Sequence, residues 1–419
     1  MEFIITLNKL MGLIEKGGMS SLSRIDDVDL IPQSLFISVL KNSISFYSHN
    51  ELTVSRFAYI DDEDIQIAEE GNVIVQAPQL IQWSKTLPKD SKIKFKLNKF
   101  SKPKSIYFSE SALDDASRKI NQIGRIKLLV RSEDSTSMKW ELDAFDERHV
   151  QKKNKEKGLV VLQDNFKLFA QNYSKIRFAG LKHHTEHIFD SLSLEKNENI
   201  LYLVTTDNSR CACYEYGSNF EHDSFKSKIL IPMGFLNSLY SIFKDSDINF
   251  IIRYSEKEDL VSFEFDDGFC FMTKTASKEN YDRFPSIMGL LLAPHEELGS
   301  IDAKTIKLGI ASGEIVNNYS LKVFIRSTDK NNFVVKSKST DARKSDSVYV
   351  YTLSEKCLGD YEGVFGVNYL KDVSKLSYDR LYLSVPMNKK WLKVSPEDNK
   401  KLNYFIANLN DPAYANCTI

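Results

Sequence analysis

The feature that most constrains this chain is internal repetition, because a repeated pattern decides architecture before any local motif does. Three segments share one pattern: VIVQAPQLIQWSKTLPKDSKIKFKL from Val73, ILIPMGFLNSLYSIFKDSDINFIIRY from Ile229, and GVFGVNYLKDVSKLSYDRLYLSV from Gly363. With Leu80, Leu236 and Leu370 superposed, Val75, Ile231 and Phe365 coincide upstream, and Trp83, Leu239 and Val373 downstream. Each copy reads as an apolar strand, a short helix with apolar residues at i, i+3 and i+7, a polar turn, and an alternating strand. The closing strands carry period-two rows: Ile93, Phe95, Leu97; Ile248, Phe250, Ile252; and Leu381, Leu383, Val385. A second strand-then-helix unit opens each third of the chain, from Phe3, Val160 and Ser300.

A length of 419 residues, at roughly 150 residues per domain, gives about three domains, each able to bury a core. The charged connectors QKKNKEKG from Gln151 and APHEELGS from Ala293 place domains at 1–157, 158–297 and 298–419. Two helices and many alternating strands per domain predict an α+β fold in which helices cover antiparallel sheet. Lys330 to Ser347 and Asn388 to Lys401 read as long polar hairpin loops.

Composition then narrows the class. With 42% hydrophobic and 27% charged residues the chain is no disordered tail. No run approaches the ~20 apolar residues of a bilayer span, and MEFIITLNKLMGLIEK carries acid and base too early for a secretory signal, so a cytoplasmic location is expected. The five cysteines form no CxxC pair, and Cys211 and Cys213 alternate as in a strand, which suits reduced thiols. A net charge of -1 leaves nucleic acid open, because what matters is whether Lys and Arg collect on one face.

The triplicated pattern, TTDNSRCA at Thr205 to Ala212 and YDRFPSI at Tyr281 to Ile287 resemble the bacterial replicative sliding clamp, the beta subunit of DNA polymerase III. The resemblance spans nearly the whole chain. That family carries Thr-Asp-Gly-His-Arg-Leu where this sequence has Thr206, Asp207, Asn208, Ser209, Arg210 and Cys211, so the Gly and His are replaced. It also carries Arg-Phe-Pro and a later apolar residue, matched by Arg283, Phe284, Pro285 and Leu290, and a last strand like Tyr404 to Leu409. Here Asp411 to Ile419 continue beyond that strand. These departures read as a divergent member, phage- or plasmid-encoded, acting in a bacterial or phage-infected bacterial cell.

The resemblance implies a head-to-tail homodimer, a six-domain ring with twelve helices around double-stranded DNA, that tethers a DNA polymerase and is opened by a separate clamp loader. It implies no catalysis, cofactor, metal or membrane. Sliding needs weak, sequence-independent phosphate attraction. The candidates on or beside the six repeat helices are Lys9, Lys16, Lys85, Lys89, Lys167, Lys175, Arg177, Lys244, Lys304, Lys307, Lys371 and Lys375, with Arg24 in the loop after the first helix. A partner's short peptide needs a preformed apolar cleft, because ordering it costs entropy. Ile188, Thr206, Arg210, Cys211, Pro285, Leu290, Phe405 and Ala407 are expected to build it, with Asn208 and Ser209 at its floor. Arg210 is expected to lay its stem along the cleft and offer its guanidinium to a backbone carbonyl. Asp411 to Ile419 are placed to fold over it. Ring closure by edge strands assigns Ile126 and Leu128 against Ile315 and Val316.

Two alternatives compete. His183, His184 and His187 in KHHTEH, with Glu186 as base, suggest a metal-dependent hydrolase, yet HHTEH is not HExxH and IFDSLSLE alternates like a strand. No glycine-flanked nucleophile elbow accompanies Ser209 and no Walker loop is present. The other is a regulatory ring of the same fold that binds a partner without encircling DNA.

Overall fold

A computed structural model describes residues 1–19, 33–49, 53–108, 118–131, 137–146, 158–180, 189–217, 228–275, 284, 287–317, 320–326, 332–338, 348–354, 358–374, 378–387 and 390–409. The chain forms two compact units, Met1–Phe166 with Asp245–Lys274, and Lys167–Lys244 with Thr275–Ile419.

The first unit holds helices α1 (Leu7–Gly17) and α2 (Ala77–Ser84) and one antiparallel sheet. Its strand order is Leu159–Asn165, Asn249–Ser255, Leu260–Phe265, Cys270–Lys274, Thr53–Ile60, Ser43–His49, Ser34–Leu40, Gly71–Gln76, Ser137–Phe145, Arg118–Arg131, Lys92–Phe108, Glu2–Thr6 and Ile65–Glu69. Alternation decides the faces: Ile93 and Phe95 are fully buried while Lys92 and Lys96 are exposed. Phe95 stacks on Phe3 at 4.5 Å between centroids. The apolar stripe Leu7, Leu10, Leu13, Ile14 is the buried face of α1.

The second unit holds α3 (Phe166–Ile176), whose first residue belongs to the first unit, α4 (Met233–Phe243), α5 (Ala303–Val316) and α6 (Val367–Ser374). Asp302 caps α5 by accepting from the backbone N–H of Lys304 (2.7 Å) and Thr305 (3.2 Å). One sheet runs Lys228–Pro232, Ser191–Asn197, Ile200–Thr206, Arg210–Gly217, Leu402–Ala407, Trp391–Pro396, Arg380–Pro386, His295–Asp302. The other runs Val348–Ser354, Asn332–Lys338, Ser320–Arg326, Tyr361–Gly366.

The repetition read in the sequence is carried by strand pairing. The opening strand of each repeat pairs with the strand after its second helix, through Ile5 and Ile93, Leu162 and Ile252, Ile301 and Leu381. The strands flanking the helices pair likewise through Leu35 and Val75, Leu192 and Ile231, Leu321 and Phe365. Successive repeats join edge to edge. Thr53–Ile60 meets Cys270–Lys274 through Val54 and Met272, and Arg210–Gly217 meets Leu402–Ala407 through Cys211 and Phe405. Two equivalent edges remain open among the described residues. Val348–Ser354 is outermost in its sheet, and Ser137–Ala144 pairs on one side only.

Two expected loops contain strands, Asn332–Lys338 and Trp391–Pro396; their apolar alternation is short and hidden among lysines and polar residues. The boundary at 297/298 falls inside the strand His295–Asp302. Cys211, Cys213 and Cys270 are free thiols. Among the described residues no helix is long and apolar enough to cross a membrane.

Candidate partner cleft and nucleic-acid faces

Thr206 to Arg210 form a tight turn built by side chains as much as by backbone. Asp207 Oδ1 accepts from the backbone N–H of Ser209 (3.0 Å) and Arg210 (2.9 Å), and Thr206 donates its hydroxyl to the Arg210 carbonyl at 2.7 Å. Asn208 takes φ 71°, the left-handed region that Gly and Asn enter most easily, so Asn in the place of a family Gly preserves the turn. The Ser209 carbonyl accepts from the Ala407 N–H at 2.8 Å, tying the turn to the last described strand.

Arg210 is not free to reach a peptide, contrary to the expected role. Its Nε donates to Asp207 at 2.8 Å and its Nη1 to Asp372 on α6, while its guanidinium lies 4.9 Å from the Tyr369 ring and 5.9 Å from Phe178. The reason is competition: two carboxylates, one in the turn and one on α6, already take its planar fork.

Beside this turn Tyr202, Val204, Cys211, Cys213, Leu230 and Phe405 join Phe284 and Ile287 in one buried cluster. Ile200, Met288, Leu290, Leu291 and Trp391 pack against it and stay partly exposed, so they form its accessible apolar surface. Thr206, Cys211 and Phe405 are buried, and Ala407 and Leu290 partly so. Lys228 donates to the Phe284 carbonyl at 3.1 Å. Burial pushes the thiols of Cys211 and Cys213 well above the usual range, which leaves them inert apolar groups. Burial also raises the Glu195 carboxyl and lowers the Lys393 ammonium, which lies 5.9 Å from the Phe405 ring. Asp207, Asp372, Tyr369 and Trp391 went unassigned in the sequence. Asp207, three residues before Arg210, was legible there; Asp372, far away in sequence, was not.

The cations on or beside the helices divide by exposure. Lys85 and Lys89 follow α2, Lys244 follows α4, and Lys167, Lys304 and Lys307 lie on α3 and α5; all six are exposed, Lys244 at 5.9 Å from the Tyr240 ring. Less exposed are Lys9, paired with Asp62, Lys16 with Asp267, Lys371 with Glu314, Arg177 over Tyr240 at 4.5 Å, and Lys175 beside Tyr214 at 5.5 Å. Partial burial lowers the Lys175 ammonium. Helices α2, α3 and α4 contain no acid, and of those in the other three, Glu314 meets Lys371 and Asp372 meets Arg210.

Ile126 and Leu128 are fully buried, in a strand paired on both edges, so they cannot form an intersubunit edge. The alternation that suggested an edge is that of an interior strand with one face on the core. Ile315 is 82% exposed and Val316 partly so. Arg24, Lys375, Ile188, Pro285, the histidines 183, 184 and 187, and Asp411 to Ile419 lie outside the described residues. Among the described residues no cluster of three metal-ligating side chains occurs.

No protein-family model and no curated protein matches the chain. Solved structures do. DNA polymerase III subunit beta from Pseudomonas aeruginosa superposes with TM-score 0.75 at 15% identity, over 98% of this chain and 100% of that one. The DNA polymerase sliding clamp from Bacillus subtilis gives 0.75 at 15%, over 98% and 99%. The beta subunit from Thermotoga maritima gives 0.72 at 14%, over 98% and 99%. From end to end, the chain has the fold of the DNA polymerase III beta-subunit sliding clamps.

Proposed function

We propose that this chain is a DNA polymerase processivity factor, a homodimeric ring that encircles duplex DNA, slides without reading sequence and tethers a polymerase through its apolar cleft. The observation that carries the reading is the pairing rule between repeats: two like junctions are made within the chain, and one edge of each kind is left open. Repeating the rule between two copies places Ser137–Ala144 of one beside Val348–Ser354 of the other, and closes a ring of six repeats. The repeats serve as three domains, the third beginning with the strand His295–Asp302. This joint replaces Ile126 and Leu128 by the neighbouring strand, where Met138 is exposed and Trp140 stacks on Trp83 at 5.2 Å; the exposed Ile315 is its counterpart.

The exposed helix lysines, with helix acids scarce or already paired, supply diffuse attraction to phosphates without base readout. The surface of Leu290, Leu291, Met288 and Trp391 receives the apolar anchors of a partner peptide. Cognate polymerase and loader are partners on this reading, and the protein itself makes and breaks no bond.

Light scattering tests closure, with a mass near twice 48.1 kDa expected. Ile315→Asp should give a folded monomer that no longer stays on circular DNA; a monomeric parent chain rules the ring out. K85Q/K167Q/K304Q should keep the dimer and lose salt-sensitive retention on circular DNA. Undiminished retention would remove the helix lysines from the sliding surface.

A further inference from the structure

The first repeat contains a hairpin with no counterpart in length among the described residues of the other two. Its strands, Lys92–Phe108 and Arg118–Arg131, read KIKFKLNKFSKPKSIYF and RKINQIGRIKLLVR, and neither contains an acidic residue. In a chain with 56 basic and 57 acidic residues this is a strong local imbalance.

Within the sheet the imbalance is answered. Glu2 pairs with Lys94 (2.5 Å) and Lys96 (3.0 Å), and Glu141 and Asp143 face Arg125 and Lys127. Farther along it is not, among the described residues. The register jumps from Lys99 opposite Gly124 to Lys104 opposite Gln122, so Phe100, Ser101, Lys102 and Pro103 bulge out against Ile123. Pro103 has no N–H to return to the ladder. Gly124 closes the base of the bulge: a Cβ there would lie 2.3 Å from the Asn98 carbonyl oxygen. Lys99, Lys102 and Lys104 are all exposed and carry no ion pair among the described residues; Lys104 sits 5.0 Å from the Phe100 ring. From Ser105 to Phe108 the strand pairs only with Asn121 to Arg118, as a two-stranded ribbon.

We propose that this ribbon and its lysine bulge form a second duplex-DNA contact, separate from the helix faces. A two-stranded β-ribbon is one of two elements that a major groove about 12 Å wide admits. The three ammonium groups at its base supply the phosphate contacts that hold such a ribbon in register without specifying sequence. An acid-free pair of strands favours a polyanion, since its eleven Lys and Arg outnumber Glu110, Asp114 and Asp115 in the sequence between them, and the ribbon's fit to a major groove favours a duplex.

The test uses the full chain and a short linear duplex followed by fluorescence anisotropy across a salt series. K99Q/K102Q/K104Q changes only exposed side chains. It should weaken binding about tenfold at low salt and flatten the slope of log K against log salt by about 3, near one per lysine. The helix variant K85Q/K167Q/K304Q should keep this hairpin increment, so failure here is separable from failure of the ring. A change below twofold overturns the proposal. So does equal loss on a single strand of matched length, or displacement of the duplex by polyglutamate of matched charge, which would assign the surface to an acidic polypeptide.

Discussion

The two junctions between successive repeats share a backbone ladder and differ in how side chains fasten it. At the first, Lys16 at the end of α1 meets Asp267 and lies 4.4 Å from the Phe57 ring, with the two charged side chains 21% and 26% exposed. At the second, Arg210 is 14% exposed, held by Asp207 at 3% and Asp372 at 19%, and Tyr404 adds a hydrogen bond from its hydroxyl to the Lys175 carbonyl at 2.9 Å. Water can replace the first fastening. It cannot replace the second, because removing the guanidinium strands a buried carboxylate. The second junction is also where the apolar cluster lies, so the tighter fastening holds the strands that carry it. Arg210→Ala should therefore cost about 3–5 kcal/mol in urea unfolding. Arg210→Lys should recover little, since a point charge cannot engage both carboxylates as the fork does. A loss under ~1 kcal/mol would mean that the ladder alone holds the junction.

At the first junction the expected effect is smaller. Lys16→Ala removes a partly solvated pair and one cation–π contact, about 1–2 kcal/mol together. The contrast sharpens with salt. High ionic strength should shrink the Lys16 effect and leave most of the Arg210 effect, because screening acts mainly on exposed charge. Equal salt sensitivity at both positions would erase the distinction drawn between them.

What could be read from residues alone follows the same division between local and distant causes. The repeat was legible because Val75, Ile231 and Phe365 occupy one structural position, the rung opposite Leu35, Leu192 and Leu321, and burial there demands apolar side chains in every copy. A buried cluster does form around Cys211 and Phe405, which are opposite each other across two strands. The role of Arg210 was not, because Asp372 and Tyr369 come from a helix that no local pattern links to the turn. The intersubunit edge failed for a related reason. Ile126 and Leu128 alternate as an edge strand would, but period two reports one buried face and says nothing about how many neighbours a strand has. The basic hairpin is a feature of strand composition, invisible to any count of charge on helix faces.

The smallest effect probes the turn on which the second junction depends. Asn208 holds φ 71° between Asp207 and Ser209, both committed to the turn's hydrogen bonds, so the position selects for backbone freedom rather than for a side-chain contact. Asn208→Gly should then change stability by only a few tenths of a kcal/mol, whereas Asn208→Ala should cost about 1 kcal/mol from left-handed strain. Neither should touch the ion pairs of Arg210, and both should leave the salt response of unfolding unchanged. If Ala is instead tolerated as well as Gly, the left-handed conformation is not what fixes this residue, and the turn must be held by Asp207 and Thr206 alone.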